Sequence, residues 1–409
     1  MRVMVTFEHR FISTPDGHIY TRGTVDYSFL SRYLAVFDEV VVLARVENAD
    51  EIPPNKKRAD GPNVSFFPLP YYLGPIQFLK RYRKVKSNIK QAVNVADAYI
   101  LRVAGSVGTL LWHHLMKKGI PYGVEVVGDP WDVLSPGNVT SIVRPYARWS
   151  WTRNLRTQCN QATAVAYVTE HALQKRYPPN EDAYTCNYSS IDLKVSDICK
   201  DISDRIDRIS CLQARLRGNG PPVVLGFVGS FSQAHKLPHV HLAAIAECIA
   251  RNANVCLEMI GGGQLLEDMK ALARKLGIAS RVRFRGLLPA GKSIMEAFDS
   301  FDLFLNATAS EGLPRVVIEA MSRGCPCIAS DVGGTSELLE MDYLVAPHDA
   351  NSLAEKILEV LARPRAMSDA VKRNVTVAAN YCRDVLQPRR QAFYRAVRER
   401  TEKYLTEHV

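Results

Sequence analysis

The stretch Ser310-Glu311-Gly312-Leu313-Pro314-Arg315-Val316-Val317-Ile318-Glu319-Ala320-Met321 follows the apolar run Asp302-Leu303-Phe304-Leu305-Asn306. That run is short and continuous, as expected of a strand covered on both faces. Pro314 suits the first turn of a helix, where a missing N–H costs nothing. Gly312 leaves backbone N–H groups approachable just before that helix. The unit reads as strand, open loop, helix, with Glu311 at the helix mouth and Glu319 on the helix itself. Eight residues separate the two acids, at most ~12 Å if all were helical. Two carboxylates facing one cleft at that spacing can hold hydroxyls at two ends of one long polyhydroxy ligand. Either Glu alone is more readily a dipole partner or a wet-face residue. The pair in this frame points the other way. Downstream, Gly324-Cys325-Pro326-Cys327-Ile328-Ala329-Ser330-Asp331-Val332-Gly333-Gly334 is a short strand ending in a Gly-Gly turn, where backbone can approach a ligand closely.

The same unit recurs outward from this point. Strands are expected at 223–228, 255–260, 281–285, 302–306, 326–330 and 343–345. Helices are expected at 238–251, 264–276, 292–299, 314–323 and 350–362. Toward the N-terminus, apolar runs at 3–7, 39–44, 99–103, 123–127 and 164–168 alternate with helices at 25–36 and 107–118. This is the rhythm of doubly wound parallel sheets. It breaks at about 185–220, a polar stretch closing on Gly218-Asn219-Gly220-Pro221-Pro222. The expected division is an N-terminal Rossmann-like domain at 1–200, a C-terminal one at 201–384, and a helix at 385–409 that packs back on the first. Ligands of such folds bind outside the carboxyl ends of the strands, and anions favour helix N-termini there.

Composition narrows the partners. The chain has 409 residues, 47% hydrophobic and 23% charged, which excludes a mostly disordered protein. Mean hydropathy is −0.11, and no apolar run approaches the ~20 residues of a membrane-spanning helix. MRVMVTFEHRF does not read as a secretory signal. Nine cysteines are scattered without a CxxC pair, which reads as a reducing, cytoplasmic setting. The formal charge of +10 calls for an anionic partner.

The ordered motifs resemble those of the family 4 (group 1) glycosyltransferases, which have the GT-B fold and retain anomeric configuration. Glu311 and Glu319 match the family's E-x7-E pair, and Gly324 to Gly334 match its GxPVIAxxVGG pattern. Gly226-Phe227-Val228-Gly229-Ser230 resembles its VGR loop, and Ile260-Gly261-Gly262-Gly263 its VGxG loop. Leu276-Gly277-Ile278 with Val282-Arg283-Phe284-Arg285-Gly286 resembles its LGLxxRVxFLG segment. The resemblance covers about 223–362. It implies two Rossmann-like domains facing each other across a cleft, and transfer of a sugar from a UDP- or GDP-sugar to a hydroxyl acceptor in polysaccharide biosynthesis.

By that resemblance, Glu319 binds the ribose and Glu311 the donor sugar. Gly229, Ser230, Gly262, Leu287, Gly312, Leu313, Pro314 and Arg315 line the rest of the donor site. Lys236 meets the diphosphate. The family's Arg after VG is absent, with Ser230 in its place, so His235 or Arg315 is left to compensate. Negative charge grows on the leaving diphosphate as the C1–O bond breaks. A Lys and a helix N-terminus can stabilise it without a metal, so no cofactor or metal is expected. On the acceptor side, the first βα junction is the long loop Thr14 to Thr24, with Gly23 and Thr24 placed at a helix mouth. Asp129, after strand 123–127, meets the acceptor hydroxyl or donor sugar, or is only a turn former before Pro130.

Two basic segments, Phe78 to Lys86 and Arg144 to Arg153, each read alone as a solvated helix face. Both fall in the acceptor half, so peripheral contact with an anionic membrane holding a lipid-linked acceptor is expected. Nucleic-acid binding has charge but no motif. Two rival readings stand beside the transferase. One is an inactive GT-B partner subunit that only binds sugar nucleotide. The other is a P-loop NTPase, because Gly286-Leu287-Leu288-Pro289-Ala290-Gly291-Lys292-Ser293 fits GxxxxGK[ST]. The strand before that loop alternates charged and apolar residues, which a central P-loop strand should not do.

Overall fold

The computed structural model describes every residue except 22, 52–55, 140, 290 and 409. The N-terminal half holds strands β1 (Arg2–Ser13), β2 (Ile19–Thr21), β3 (Glu39–Asn48), β4 (Lys57–Arg58), β5 (Val64–Pro70), β6 (Ala98–Val103), β7 (Gly123–Val126), β8 (Ala164–Tyr167) and β9 (Tyr184–Asn187). Its helices are α1 (Tyr27–Leu30), α2 (Gly74–Ala92), α3 (Ser106–Lys117), α4 (Pro130–Val133), α5 (Arg144–Gln161) and α6 (Ala172–Arg176). Parallel pairing joins β5, β3, β1, β6, β7, β8 and β9 in that order. Past a bulge between Thr6 and Arg10, the far end of β1 turns back into the antiparallel strands β2 and β4.

The C-terminal half opens with α7 (Ser203–Ser210) and α8 (Leu212–Leu216). It continues through β10 (Val223–Val228), α9 (Pro238–Ala250), β11 (Val255–Ile260), α10 (Leu266–Lys275), β12 (Val282–Gly286) and α11 (Lys292–Ser300). Then come β13 (Leu303–Asn306), α12 (Arg315–Ser322), β14 (Cys327–Ser330), α13 (Thr335–Leu338), β15 (Leu344–Val345), α14 (Ala350–Leu361), α15 (Pro364–Ala379) and α16 (Arg383–His408). The sheet order is β12-β11-β10-β13-β14-β15, all parallel. The order reverses between β10 and β13, which is where such sheets open a ligand crevice.

Helix α16 crosses back onto the N-terminal sheet. A Cβ on Gly123 of β7 would meet Val397 at 2.4 Å and Phe393 at 3.1 Å, so glycine is what lets the helix lie this close. Beneath it, the buried Glu125 carboxylate accepts from Tyr33 (2.9 Å), Arg102 (2.6 Å) and Tyr188 (2.6 Å). That full complement of donors is what lets a charge sit in the core.

Several elements escape the sequence reading. β5 carries Pro68 and Pro70 yet pairs along its length with β3. It is the outermost strand of the parallel run, and an edge tolerates missing N–H donors. β9 lies inside the stretch read as a break, and α15 follows the last helix expected before the terminus. The helix expected at 25–36 is a four-residue α1 followed by a 3₁₀ segment, Ser31–Ala35. The P-loop reading fails here, because β12 is an edge strand with a half-exposed pattern. Lys292 is 90% exposed and lies 3.7 Å from Glu296.

Candidate active site

The switch point of the C-terminal sheet gathers the ends of β10, β11 and β13. After β10, Gly229 donates to Ile260 O (2.9 Å) and Phe231 to Gly262 O (3.0 Å). Gly261 would place a Cβ 1.8 Å from Gly229 O, and Gly263 would place one 2.3 Å from the Ser232 nitrogen. Both have φ near +145°, at +144° and +147°. Only glycine allows these loops to interlock backbone to backbone. The Ser230 hydroxyl accepts from Ser232 N (3.1 Å), so it shapes the turn. Leu287 lies against Gly262 and is largely exposed at the rim.

The next segment is a 3₁₀ turn, Ala234–Lys236, then Leu237 with φ 46° and ψ 47°. A buried leucine in the left-handed region is disfavoured by about 1 kcal/mol or more. The bend turns the chain so that His235 O accepts from Ala309 N (2.8 Å) and Lys236 Nζ reaches Glu311 Oε1 (2.6 Å). Their side chains are 18% and 13% exposed. Lys236 and Glu311, 75 residues apart, therefore form one ion pair at the crevice. Burial first, and the neighbouring Lys236 second, hold the His235 imidazole below its ordinary value. It is uncharged at neutral pH and does not replace the missing Arg. The cation beside the helix is Arg315, exposed at the first residue of α12.

Glu319 sits one turn into α12, half-buried. Burial raises its carboxyl above the ordinary value, and Arg315 partly opposes that. Among the described residues its carboxylate has no hydrogen-bond or ion-pair partner, whereas Glu311, at the mouth of the same helix, is paired. Helix α12 begins at Arg315, with Pro314 as its N-cap, one residue later than expected. Among the described residues, three buried polar atoms near this loop lack protein partners: Asn306 Nδ2, Thr308 Oγ1 and Ser330 Oγ.

Residues 222–363 match a family model described as "Glycosyl transferases group 1". The C-terminal half therefore carries a group 1 glycosyltransferase region. The chain is 24% identical to Protein CapJ of Staphylococcus aureus over 395 residues, 95% of this chain and 94% of that protein. It is 33% identical to D-inositol 3-phosphate glycosyltransferase 2 of Catenulispora acidiphila over 176 residues, 39% of this chain and 40% of that one. Solved structures agree on the GT-B fold. Sucrose-phosphate synthase from Thermosynechococcus elongatus superimposes with TM-score 0.67 at 17% identity, covering 97% of this chain and 98% of that one. Anabaena HepE in complex with UDP and glucose gives 0.61 at 16% identity over 99% of each chain.

The N-terminal wall of the cleft places two sets of expected residues differently. Asp129 is 2% exposed. Its carboxylate caps Trp131 N (2.9 Å) and receives Arg176 and the Tyr177 hydroxyl. Three donors from inside the domain take most of its acceptor positions, so in this structure it serves as a helix cap and ion-pair partner, the turn-former alternative. A Cβ on Gly128, one residue earlier, would meet no atom within 4 Å. Gly23 and Thr24 do not form the helix mouth. Asp26 caps α1 through Phe29 N (3.1 Å). Gly23 instead lies against His9, whose ring pairs with Thr21 Oγ1 (2.6 Å).

Some residues that close the two halves lie in the quoted motifs, and others, Glu337, His348 and Asn138, carry no motif in the sequence. A Cβ on Gly312 would meet Val127 O at 2.6 Å, and one on Gly334 would meet Thr169 at 2.5 Å. Glu337 accepts from the backbone N–H groups of Glu170 (2.6 Å), His171 (2.9 Å) and Ala172 (2.7 Å). His348 pairs with Asn138 Oδ1 (2.7 Å). Only the Gly-Gly turn at 333–334 signalled a close approach, without saying to what.

Proposed function

We propose that the transferase moves a hexosyl group, with retention and without a metal, from a UDP- or GDP-sugar to a hydroxyl acceptor. The acceptor is a glycan, a lipid-linked glycan or a glycosylated small molecule. The observation that carries this reading is the unpartnered, half-buried Glu319 carboxylate one turn inside α12, beside the Lys236–Glu311 pair at the same helix mouth. A desolvated acceptor group with no protein donor fits ligand hydroxyls. The solved complexes of Anabaena HepE with UDP and with UDP-glucose support a nucleotide-sugar donor.

In this reading Glu319 holds the ribose and Glu311 the transferred sugar. Leu287 flanks the base beside Gly262. Gly229, Ser230 and the N–H groups at Gly312, Leu313 and Arg315 face the phosphates, with Pro314 shaping the helix start. Donor binding exchanges part of the Lys236–Glu311 pairing. Lys236 swings to the diphosphate and Glu311 to sugar hydroxyls. Lys236 then meets the charge that grows on the leaving oxygen as the bond to C1 breaks, in a site already largely withdrawn from water. The acceptor enters from the N-terminal wall. No helix among the described residues is long and apolar enough to cross a membrane.

A thermal-shift screen of UDP- and GDP-sugars, followed by product detection with candidate acceptors, tests the reading. One donor should stabilise the wild type, and Glu319→Ala should remove that shift. Loss of the shift in Lys292→Ala but not in Glu319→Ala would overturn it. A shift with no product from any acceptor would leave a binding subunit without transfer.

A further inference from the structure

Helices α2 and α5 together hold ten Lys and Arg residues and no Asp or Glu. The whole chain carries a formal net charge of +10, so outside these two helices it is balanced. Cations elsewhere commonly face carboxylates, as Arg102, Arg215 and Arg383 do. Among the described residues none of these ten does. Arg144, Arg148 and Arg156 bond instead to the backbone carbonyls of Leu134 (3.1 Å), Trp131 (2.8 Å) and Arg176 (2.9 Å), which leaves their charge uncompensated.

The topology puts both helices on one face of the sheet. α2 links β5 to β6, and the segment with α5 links β7 to β8. Both parallel crossovers step the same way along the sheet, so right-handedness sends both helices to the same side. α3 lies between them, packed on α2 and tied to α5 by Gln158 Nε2 to Thr109 Oγ1 (3.0 Å). The first turns of α2 and α5 therefore rise at the carboxyl ends of the strands, at the rim of the cleft.

Those first turns expose apolar side chains. Ile76 and Leu79 on α2 are each 71% exposed. Ile142 just before α5 is 98% exposed, with Tyr146 at 69% and Trp149 at 54%. Positions 142, 146, 149 and 153 fall at helical spacing on one stripe. The Tyr146 and Trp149 rings lie 6.0 Å apart, and the Arg153 guanidinium lies 5.4 Å from the Trp149 ring centre.

We propose that this rim is a membrane-docking surface, in which the apolar first turns of α2 and α5 insert into an anionic bilayer while their unpaired cations engage lipid phosphates. Aromatic and aliphatic tips backed by uncompensated cations are what a charged interface selects. Aliphatic tips such as Ile142 and Leu79 contribute nothing to a nucleic-acid backbone, so the bilayer fits better than RNA. The surface sets the cleft mouth against the bilayer. The proposal rests on the transferase reading only in placing a lipid-linked hydroxyl acceptor there.

The test is flotation of the purified full-length protein with two kinds of vesicle. One is phosphatidylcholine alone, the other phosphatidylcholine with roughly one-third phosphatidylglycerol. Flotation is expected with the anionic vesicles only and should weaken with added salt. Each cation neutralised on α2 should weaken partitioning by about fivefold. The double variant Ile142→Asp, Trp149→Asp should stay in solution while its donor-induced thermal shift equals that of the wild type. That shift reports on the donor site separately, so failure of one reading is not mistaken for failure of the other. Absence of flotation with anionic vesicles, or flotation unchanged in the double variant, overturns the proposal. So does single-stranded RNA binding lost in the double variant when vesicles do not bind.

Discussion

Asp129 beyond β7 and Glu319 on α12 stand on opposite walls of the cleft, each an acid a short way past a buried parallel strand. Asp129 is enclosed and takes donors from Arg176, Tyr177 and the Trp131 backbone. Glu319 is desolvated enough for its carboxyl to be raised, yet has no protein donor among the described residues. In one case the fold has consumed the carboxylate. In the other, among the described residues, it supplies no donor and leaves the oxygens to solvent or to a ligand. Position after a strand therefore does not make an acid functional. What decides is whether neighbouring elements supply its hydrogen bonds.

The largest expected effect tests the C-terminal wall. Lys236→Ala should lower kcat by about 10²–10³-fold with a smaller change in KM, because its charge is needed most as the leaving diphosphate gains its own. Steady-state rates with the donor found by screening measure this. A change confined to KM would make Lys236 a binding residue only.

The next effect tests the other wall. Asp129→Asn should cost about 1–3 kcal/mol of stability in denaturant unfolding, since a charge-assisted, buried set of bonds is weakened. The donor-induced thermal shift should persist. A variant that stays fully stable but loses turnover would return Asp129 to the reacting centre.

The smallest effect is a pH dependence. Glu319 has a folded value raised above the unfolded one, so the folded state holds the proton longer. Its contribution to stability is then lost as pH rises from the ordinary carboxylate value through the raised one. Glu319→Gln should unfold at the same temperature as the wild type under acidic conditions and at a higher one near neutrality. A gain independent of pH would show that the residue's effect is not its ionisation.

The donor wall was more legible than the acceptor wall for physical reasons. Parallel strands buried on both faces leave unbroken apolar runs, and β10, β11 and β13 were read nearly to the residue. The loops after them hold glycines whose added Cβ would strike backbone, so the fold leaves a visible mark there. The acceptor wall left no such mark. β1 continues past a bulge into a hairpin, displacing Gly23 and Thr24 from the helix mouth, and nothing local announces a bulge. β5 went unread, and its prolines suit a strand only at an edge, a position that cannot be known before the sheet is assembled.

The sequence by itself determined the two doubly wound halves, the strand-loop-helix frame of Glu311 and Glu319, and the family they resemble. Each depends on periodicity or on residues near one another in the chain. Tertiary structure decided which charges are free. It paired Lys236 with Glu311, enclosed Asp129, left Glu319 without a donor, and set α2 and α5 with their uncompensated cations on one face. Electrostatic and hydrogen-bond partners come from across the fold, and a residue's chemistry is set by what packs against it rather than by what precedes it.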